Sequence, residues 1–194
     1  MNSIRILDSQ VLSDHWYVLR KITFEVSKDG GPPARLTREA YDRGNGATIL
    51  LYNKGTNTVI LTRQFRIPTF INGNTSGMLI ECCAGLLDEE DPEECIKRET
   101  EEETGYKISA VQKVFEVYMS PGSVTELLYF FVAEYSREMK TADGGGLQEE
   151  HEDIEILEVE FNKAMEMVKS GEIKDGKTIM LLQHAQINSL LIRC

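Results

Sequence analysis

The order of hydrophobic and polar residues along the chain predicts strands interspersed with a few helices. Apolar or β-branched stretches bounded by turn residues predict strands at about residues 22–26, 35–41, 47–52, 58–65, 78–83, 114–119, 127–134 and 154–161. Helical spacing predicts helices at about residues 92–104, 162–169 and 176–191. The strand at 127–134 is too apolar for a sheet edge, so we expect it to be internal. The mixed order indicates an α/β (α+β) fold.

The pattern also divides the chain into two parts. A chain of 194 residues is long enough for one domain with a small appendage. We expect residues 1–43 to form an N-terminal β-rich region and residues 44–194 to form the main domain. The turn at residues 28–33, Lys-Asp-Gly-Gly-Pro-Pro, joins two strands of the first part.

The helix at 92–104 has sequence signals at both of its ends. Asp91 is the predicted N-cap, Pro92 the first helical residue, and Glu94 the third residue of an acidic capping box. Gly105 is placed to end the helix in a left-handed conformation. A narrow stripe of this helix is predicted to be buried: Cys95, Ile96 and Thr100.

The same helix carries a cluster of acids near its carboxyl end. Glu99, Glu102 and Glu103 are spaced i, i+3 and i+4, which places them on one face. Like charges at this spacing cost about 0.2–0.5 kcal/mol per pair, and acids in the last turn oppose the helix dipole. A solvated acidic face is the purely structural interpretation. A divalent cation shared with substrate phosphates would instead require these acids, so we expect metal-dependent phosphate chemistry.

Charge and cysteine usage narrow the functional classes. The formal net charge of −11 argues against a general nucleic-acid binder, because such proteins neutralise phosphates with Lys and Arg. The cysteines lack a metal-binding spacing and predict reduced thiols: Cys82, Cys83, Cys95 and Cys194. No signal-like or membrane-spanning apolar run is found in the sequence. We therefore expect a cytoplasmic protein without nucleic-acid or membrane partners.

One segment resembles the signature of a known superfamily. Gly85 and the run at 98–106, Arg-Glu-Thr-Glu-Glu-Glu-Thr-Gly-Tyr, resemble the Nudix box, G-x5-E-x7-R-E-U-x-E-E-x-G-U with U apolar. The interval between Gly85 and Arg98 is one residue shorter than in the pattern, so either Glu90 or Asp91 is the loop acid. The resemblance implies a Nudix α/β/α sandwich preceded by an N-terminal β-rich appendage.

The resemblance extends over nearly the whole chain. Further segments are similar to the ADP-ribose and sugar-nucleotide branch of Nudix pyrophosphatases: residues 41–47, 63–66, 72–77, 83–88, 119–122, 151–155 and 175–178. This branch implies hydrolysis of a nucleoside diphosphate sugar with Mg²⁺, for which Mn²⁺ can substitute. GDP-mannose, giving GMP and mannose 1-phosphate, is the implied substrate, and ADP-ribose is the alternative. A catalytically silent nucleotide sensor is more remote, because it would normally lose one of the box acids.

The resemblance also assigns roles to individual residues. The implied metal ligands are the Ala84 carbonyl, Glu99, Glu103 and Glu152. The implied catalytic residues are Arg98, Glu102 and Glu103, with Glu150 as a candidate general base. The implied substrate contacts are Trp16, Thr37, Arg38, Glu39, Arg66, Gly85, Leu86, Glu126 and His151. The three glycines before Glu152 suit a mobile loop that closes over substrate. The resemblance further implies a homodimer whose N-terminal region packs across the subunit interface.

Overall fold

The computed structural model describes residues 3–28, 31–147, 149 and 152–191. The chain forms two compact units. One consists of Met1–Asn45 with Tyr118–Leu127, and the other consists of Gly46–Val117 with Leu128–Cys194.

The first unit is built on a three-stranded antiparallel sheet in the order β1-β2-β3. Its strands are β1 (Ser3–Asp14), β2 (Val18–Ser27) and β3 (Ala34–Asp42). The sequence predicted the second and third strands but missed β1. This strand has no regular alternation, because two register irregularities interrupt its pairing with β2. Residues 29 and 30 of the predicted turn lie outside the described residues.

The second unit contains a mixed sheet with β10-β5-β4-β9-β8 as its main order, to which β6 pairs beside β5 and β7 beside β4. The strands are β4 (Gly46–Asn53), β5 (Thr58–Phe65), β6 (Met78–Glu81), β7 (Cys83–Leu86), β8 (Gln112–Tyr118), β9 (Leu127–Glu134) and β10 (Glu155–Glu160). The internal position of β9, which runs parallel to β4, confirms the expectation from its apolar sequence.

The single strand predicted at 78–83 is two strands. The chain pairs with β5 as far as Glu81 and with β4 from Cys83 onward. Cys82, between them, donates its backbone N–H to Thr178 Oγ1 at 2.6 Å, outside either ladder. The chain therefore crosses from one neighbour of the sheet to another just before the Gly85 turn.

The helices cover both faces of this sheet. They are α1 (Ile67–Ile71), α2 (Pro92–Thr104), α3 (Phe161–Ser170) and α4 (Gly176–Ile187), with a short 3-10 helix at Arg137–Met139. Helices α2 and α4 both contact β4, which is buried along almost its whole length, and α3 contacts β5 and β10. This confirms the α/β/α arrangement. The sequence missed α1 and extended α4 beyond its C-cap, Asn188. Within the described residues, no helix is long and apolar enough to cross a membrane.

Core packing fixes the orientation of α2. Alternate residues of β4, Ala47, Ile49 and Leu51, share one buried cluster with Ile96 of α2. Cys95, Ile96 and Thr100 are buried, as the sequence predicted. Glu103 is buried on this side of α2 as well, whereas Glu99 and Glu102 are only half-buried.

Candidate active site

The boundaries of α2 are confirmed at both ends. Asp91 caps the helix by accepting a hydrogen bond from Glu93 N at 2.9 Å, and Pro92 is the first helical residue. Gly105 ends it at φ 76°, with its N–H donating to the Glu101 carbonyl. The predicted capping box is wrong, because the Glu94 carboxylate pairs with Lys97 at 3.1 Å and not with the Asp91 backbone.

Arg98 joins three carboxylates around the acidic face. Its Nε lies 3.2 Å from Glu90 Oε2, and its Nη1 lies 2.8 Å from Glu102 Oε2 and 3.0 Å from Glu99 Oε1. Asp91 is occupied as the helix cap, so Glu90 is the loop acid that faces Arg98. The guanidinium offsets part of the like-charge repulsion and fixes the orientation of these side chains.

The Gly85 turn brings backbone against the Glu99 carboxyl. Ala84 and Gly85 belong to β7, which pairs with β4, and Thr48 Oγ1 of β4 donates to the Cys83 carbonyl at 3.0 Å. A Cβ atom at Gly85 would overlap the carboxyl group of Glu99. Glycine is required here because a carboxylate and a strand approach more closely than any side chain would allow.

Glu103 is the most deeply buried acid of the cluster. It is 3% exposed, and its Oε2 has no hydrogen-bond partner among the described residues. Burial raises the pKa of Glu103 to about 8, with the charges of Glu99 and Glu152 adding to the shift and the Cys83 thiol and Arg66 opposing it. A buried oxygen without a hydrogen-bond partner destabilises the folded protein unless a ligand supplies that partner.

Glu99 shows the same effect more weakly. Burial raises the pKa of Glu99 to about 7; Arg98 opposes this shift, and the charges of Glu102 and Glu152 add to it. Burial and neighbouring carboxylates thus disfavour ionisation of both Glu99 and Glu103. A bound cation would reverse this effect, because it favours the ionised form of both.

The glycine loop at residues 144–146 places Glu152 near these acids. Its amides donate to the last carbonyls of α2, from Gly145 to Glu103 at 2.9 Å and from Gly146 to Glu102 at 3.2 Å. All three glycines have positive φ, and a Cβ at Gly146 would overlap the Glu152 carboxyl. Positive φ and close approach account for glycine at these positions, and the mobile loop expected from the sequence stays a prediction.

The acid cluster fits a divalent cation in its chemistry. Carboxylates and a backbone carbonyl form an all-oxygen donor set of the kind that Mg²⁺ and Mn²⁺ prefer. The unpartnered Glu103 oxygen and the raised pKa values of Glu99 and Glu103 are the features that a cation would relieve. Among the described residues, no three His, Cys, Asp or Glu side chains form a preformed metal group.

Arg66 belongs to a buried network of charges in the same unit. Its Nε donates to Glu81 Oε2 at 2.7 Å, and Glu81 also binds Lys177, which lies 3.0 Å from Asp175. The resemblance implied that Arg66 contacts substrate and included the segment 175–178, but it assigned no role to Glu81 or to Lys177. The available signal was a glutamate in the otherwise apolar strand β6, Met-Leu-Ile-Glu.

The remaining predicted residues of this second unit lie at the turn or outside the described chain. Leu86 follows Gly85 in β7, and its carbonyl accepts a hydrogen bond from Cys95 Sγ at 3.1 Å. Glu150 and His151 lie outside the described residues.

The first unit contains the other predicted substrate contacts. Trp16 is 83% exposed, with its ring edge-on to Tyr17. Residues 37–39 are exposed on β3, where Arg38 Nη1 donates to the Thr37 carbonyl at 2.7 Å. Glu126 is largely buried and lies 3.6 Å from Arg43 Nε. Trp16 and Arg38 are thus exposed side chains of this unit, whereas Glu126 is not.

A sandwich of this topology, with a Gly turn against an Arg-clamped acidic helix, defines a Nudix-type hydrolase of diphosphate bonds. The NUDIX domain family model matches residues 42–182, and the chain belongs to this family. A second model, the GDP-mannose pyrophosphatase NudK N-terminal domain, matches residues 3–41.

Curated relatives share this organisation over nearly their whole length. The GDP-mannose pyrophosphatase of Pectobacterium atrosepticum is 58% identical over 184 residues, covering 95% of this chain and 94% of the relative. The protein of the same name from Yersinia enterocolitica is 55% identical over 188 residues, covering 97% of both chains. That of Klebsiella pneumoniae is 52% identical over 189 residues, covering 97% and 94%.

Proposed function

We propose that the chain hydrolyses the diphosphate of GDP-mannose, with Mg²⁺, to give GMP and mannose 1-phosphate. The observation that carries this proposal is the similarity, at 52–58% identity over both units, to proteins named GDP-mannose pyrophosphatase. The acids of the Nudix box, Glu99, Glu102 and Glu103, are all present. Their presence favours an active hydrolase over a silent nucleotide sensor.

The proposed metal ligands are the Ala84 carbonyl and three carboxylates, Glu99, Glu103 and Glu152. A divalent ion bound there would neutralise diphosphate charge and lower the pKa of a bound water. Mn²⁺ has the same preference for oxygen ligands and is expected to substitute for Mg²⁺.

The chain's own side chains would orient the substrate and move the proton. Arg98 holds Glu90, Glu99 and Glu102 in fixed positions around the acidic face. Arg66 is proposed to bind diphosphate oxygens through its terminal nitrogens, since guanidinium groups match phosphate geometry. Glu150 remains the candidate general base that receives the proton of the attacking water.

The remaining proposed contacts concern the base and the sugar of the substrate. We propose that Trp16 stacks on the base, because its ring is largely exposed and flat aromatic rings bind purines in this way. Further proposed contacts are Thr37, Arg38, Glu39, Gly85, Leu86, Glu126 and His151.

We also propose a homodimer in which Trp16 and Arg38 of one copy complete the site of the other. Support comes from the exposed apolar side chains of β1, where Ile4 and Ile6 are 69% and 67% exposed. A cytoplasmic location is proposed on the basis of the three described cysteines, which are all free thiols.

The test is a substrate panel of GDP-mannose, ADP-ribose, GDP-glucose and diadenosine polyphosphates with Mg²⁺, ranked by kcat/KM. We expect GDP-mannose to rank first and to give GMP and mannose 1-phosphate as products. A tenfold higher kcat/KM for ADP-ribose, about 1.4 kcal/mol, would overturn the substrate assignment. No turnover of any compound would support the silent sensor.

A further inference from the structure

We propose that Glu81 is a positioning residue that holds the Arg66 guanidinium beside the acid cluster, in the pose that binds the diphosphate. This inference rests on the proposed function, in which Arg66 contacts substrate. It adds a residue that neither the Nudix box nor the resemblance identified.

Glu81 and Arg66 differ in burial, and they meet through a single nitrogen of the guanidinium. The Glu81 side chain is 4% exposed, whereas the Arg66 side chain is 40% exposed. Glu81 Oε2 binds Arg66 through Nε alone, at 2.7 Å. Within the described residues, the two terminal nitrogens of Arg66 make no hydrogen bond or ion pair. The guanidinium is thus anchored at its inner edge and open at its outer edge, which is the edge that a phosphate would meet.

Glu81 is itself anchored by the start of α4. Its second oxygen, Oε1, accepts a hydrogen bond from Lys177 Nζ. Lys177 also lies 3.0 Å from Asp175 Oδ1, and the other oxygen of Asp175 caps α4 by accepting from Thr178 N at 3.0 Å. The carboxylate that orients Arg66 is therefore fixed to both a strand and a helix terminus.

The arrangement also keeps Arg66 from neutralising Glu103. The charges of Glu81, Glu103 and Asp175 act on Arg66 and raise its pKa, outweighing burial, which lowers it. Glu103 Oε2 nevertheless remains without a partner among the described residues. Glu81 binds Arg66 Nε, and the charges of the network sum to zero over its four members: Arg66, Lys177, Glu81 and Asp175. The Arg66 guanidinium therefore stays near Glu103 without forming an ion pair with it.

A purely structural ion pair would look similar in burial and distance, since many buried pairs have no catalytic role. The two cases differ in kinetics. If Glu81 acts through Arg66, removing Glu81 should have no further effect on an enzyme that already lacks Arg66. If Glu81 instead affects kcat/KM by another route, such as its contact with Lys177 at the start of α4, its effect should persist in an enzyme that lacks Arg66 and the two losses should add.

The experiment is a double-mutant cycle on kcat/KM for GDP-mannose with Glu81→Gln, Arg66→Ala and the double variant. We expect Glu81→Gln to lower kcat/KM by about 10- to 100-fold, as for residues that orient a ligand-binding group, mainly by raising KM. We expect the double variant to match Arg66→Ala. Additive losses would overturn the proposal.

A control for stability uses Tyr135→Phe, which removes partly buried hydrogen bonds to Thr58 and Glu158 that involve no residue of the network. We expect it to lower the melting temperature but leave KM unchanged. If KM rises as it does in Glu81→Gln, the kinetic effect is general destabilisation and the proposal is wrong. Should Glu81→Gln not fold, Glu81→Asp keeps the charge and withdraws the carboxylate by one methylene, and takes its place in the cycle.

A spectroscopic measurement tests the positioning role of Glu81 independently of the proposed function. The Nε–H signal of ¹⁵N-labelled Arg66, assigned by its absence in Arg66→Ala, should be protected from exchange in the wild type and lose protection in Glu81→Gln. Absence of turnover in the wild type would refute the function but leave this measurement intact. An equally protected signal in both proteins would overturn the positioning role.

Discussion

Glu81 and Glu103 are two carboxylates with equal burial, each 3% exposed, and opposite surroundings. Glu81 is bound on both oxygens by cationic groups of Arg66 and Lys177. Glu103 has one oxygen without a partner among the described residues, and its pKa is raised to about 8. The same residue type therefore stabilises the fold at one position and is left uncompensated at the other.

The difference separates a buried acid whose charge is compensated within the protein from one whose charge is not. A buried charge without a partner destabilises a folded protein, so it persists only where function requires it. A charge with two partners destabilises the protein when one of them is removed. Substitution by the neutral isostere should thus have opposite effects on stability at the two sites.

The largest effect is expected from Glu103→Gln on catalysis. Removing this proposed metal ligand should lower kcat by at least about a thousandfold, ~4 kcal/mol, because it takes charge from the cluster that would bind the cation. The melting temperature without metal should hold or rise. The control is Glu101→Gln, on the same helix, where Glu101 pairs with Lys107 at 3.2 Å. Near wild-type turnover of Glu103→Gln at saturating Mg²⁺ would refute the site.

Glu81→Gln should have the larger effect on stability. It leaves Arg66 and Lys177 without their shared counter-charge, and breaking a buried pair typically costs about 3–5 kcal/mol. The free energy of unfolding from urea titration, compared with that of Glu103→Gln, measures this difference. A stability loss no greater than that of Glu103→Gln would remove the contrast between the two acids.

Added Mg²⁺ should stabilise the wild type. A ligand at 100 times its dissociation constant, binding only the folded state, adds about 2.7 kcal/mol. We expect a higher melting temperature with Mg²⁺, a smaller shift in Glu99→Gln, and an unchanged shift in Glu101→Gln. Equal shifts in all three proteins would show that Mg²⁺ binds elsewhere. EDTA should restore the metal-free value.

The smallest effect is a pH dependence of the metal-free protein. The pKa values of Glu99 and Glu103 are raised from 4.5 to about 7 and about 8, respectively. The folded state therefore holds more protons than the unfolded state between the ordinary pKa of 4.5 and these raised values. Stability from these groups is present at low pH and lost as pH rises through about 8. From pH 6 to 8.5, the wild type should lose a few degrees in melting temperature relative to Glu103→Gln, roughly 1–2 kcal/mol. Parallel curves would contradict the shift in Glu103.

The sequence was most informative where local chemistry determines structure. The ends of α2 follow from Asp91, Pro92 and Gly105, whose backbone preferences act within one turn. The internal strand β9 follows from its continuous apolar run. Strand β1 and helix α1 were missed, because one has irregular pairing and the other is only five residues long.

Features that depend on distant residues were not visible in the sequence. The contacts of Glu81 with Arg66 and with Lys177 join residues 15 and 96 positions apart, and no local pattern encodes them. The choice between Glu90 and Asp91 as loop acid needed the structure, since it depends on which side chain reaches Arg98. The close approach of residues 144–146 to α2 was not predicted, because glycine permits both mobile loops and close packing.

The contact of the glycine loop with α2 has a consequence for local unfolding. Gly145 and Gly146 hydrogen-bond to the last carbonyls of α2, and the same loop leads to Glu152. An opening that releases Glu152 must therefore also expose those carbonyls, so both events belong to one cooperative unit. Hydrogen exchange at Gly145 and Gly146 should then report how often Glu152 is detached from the acids of α2.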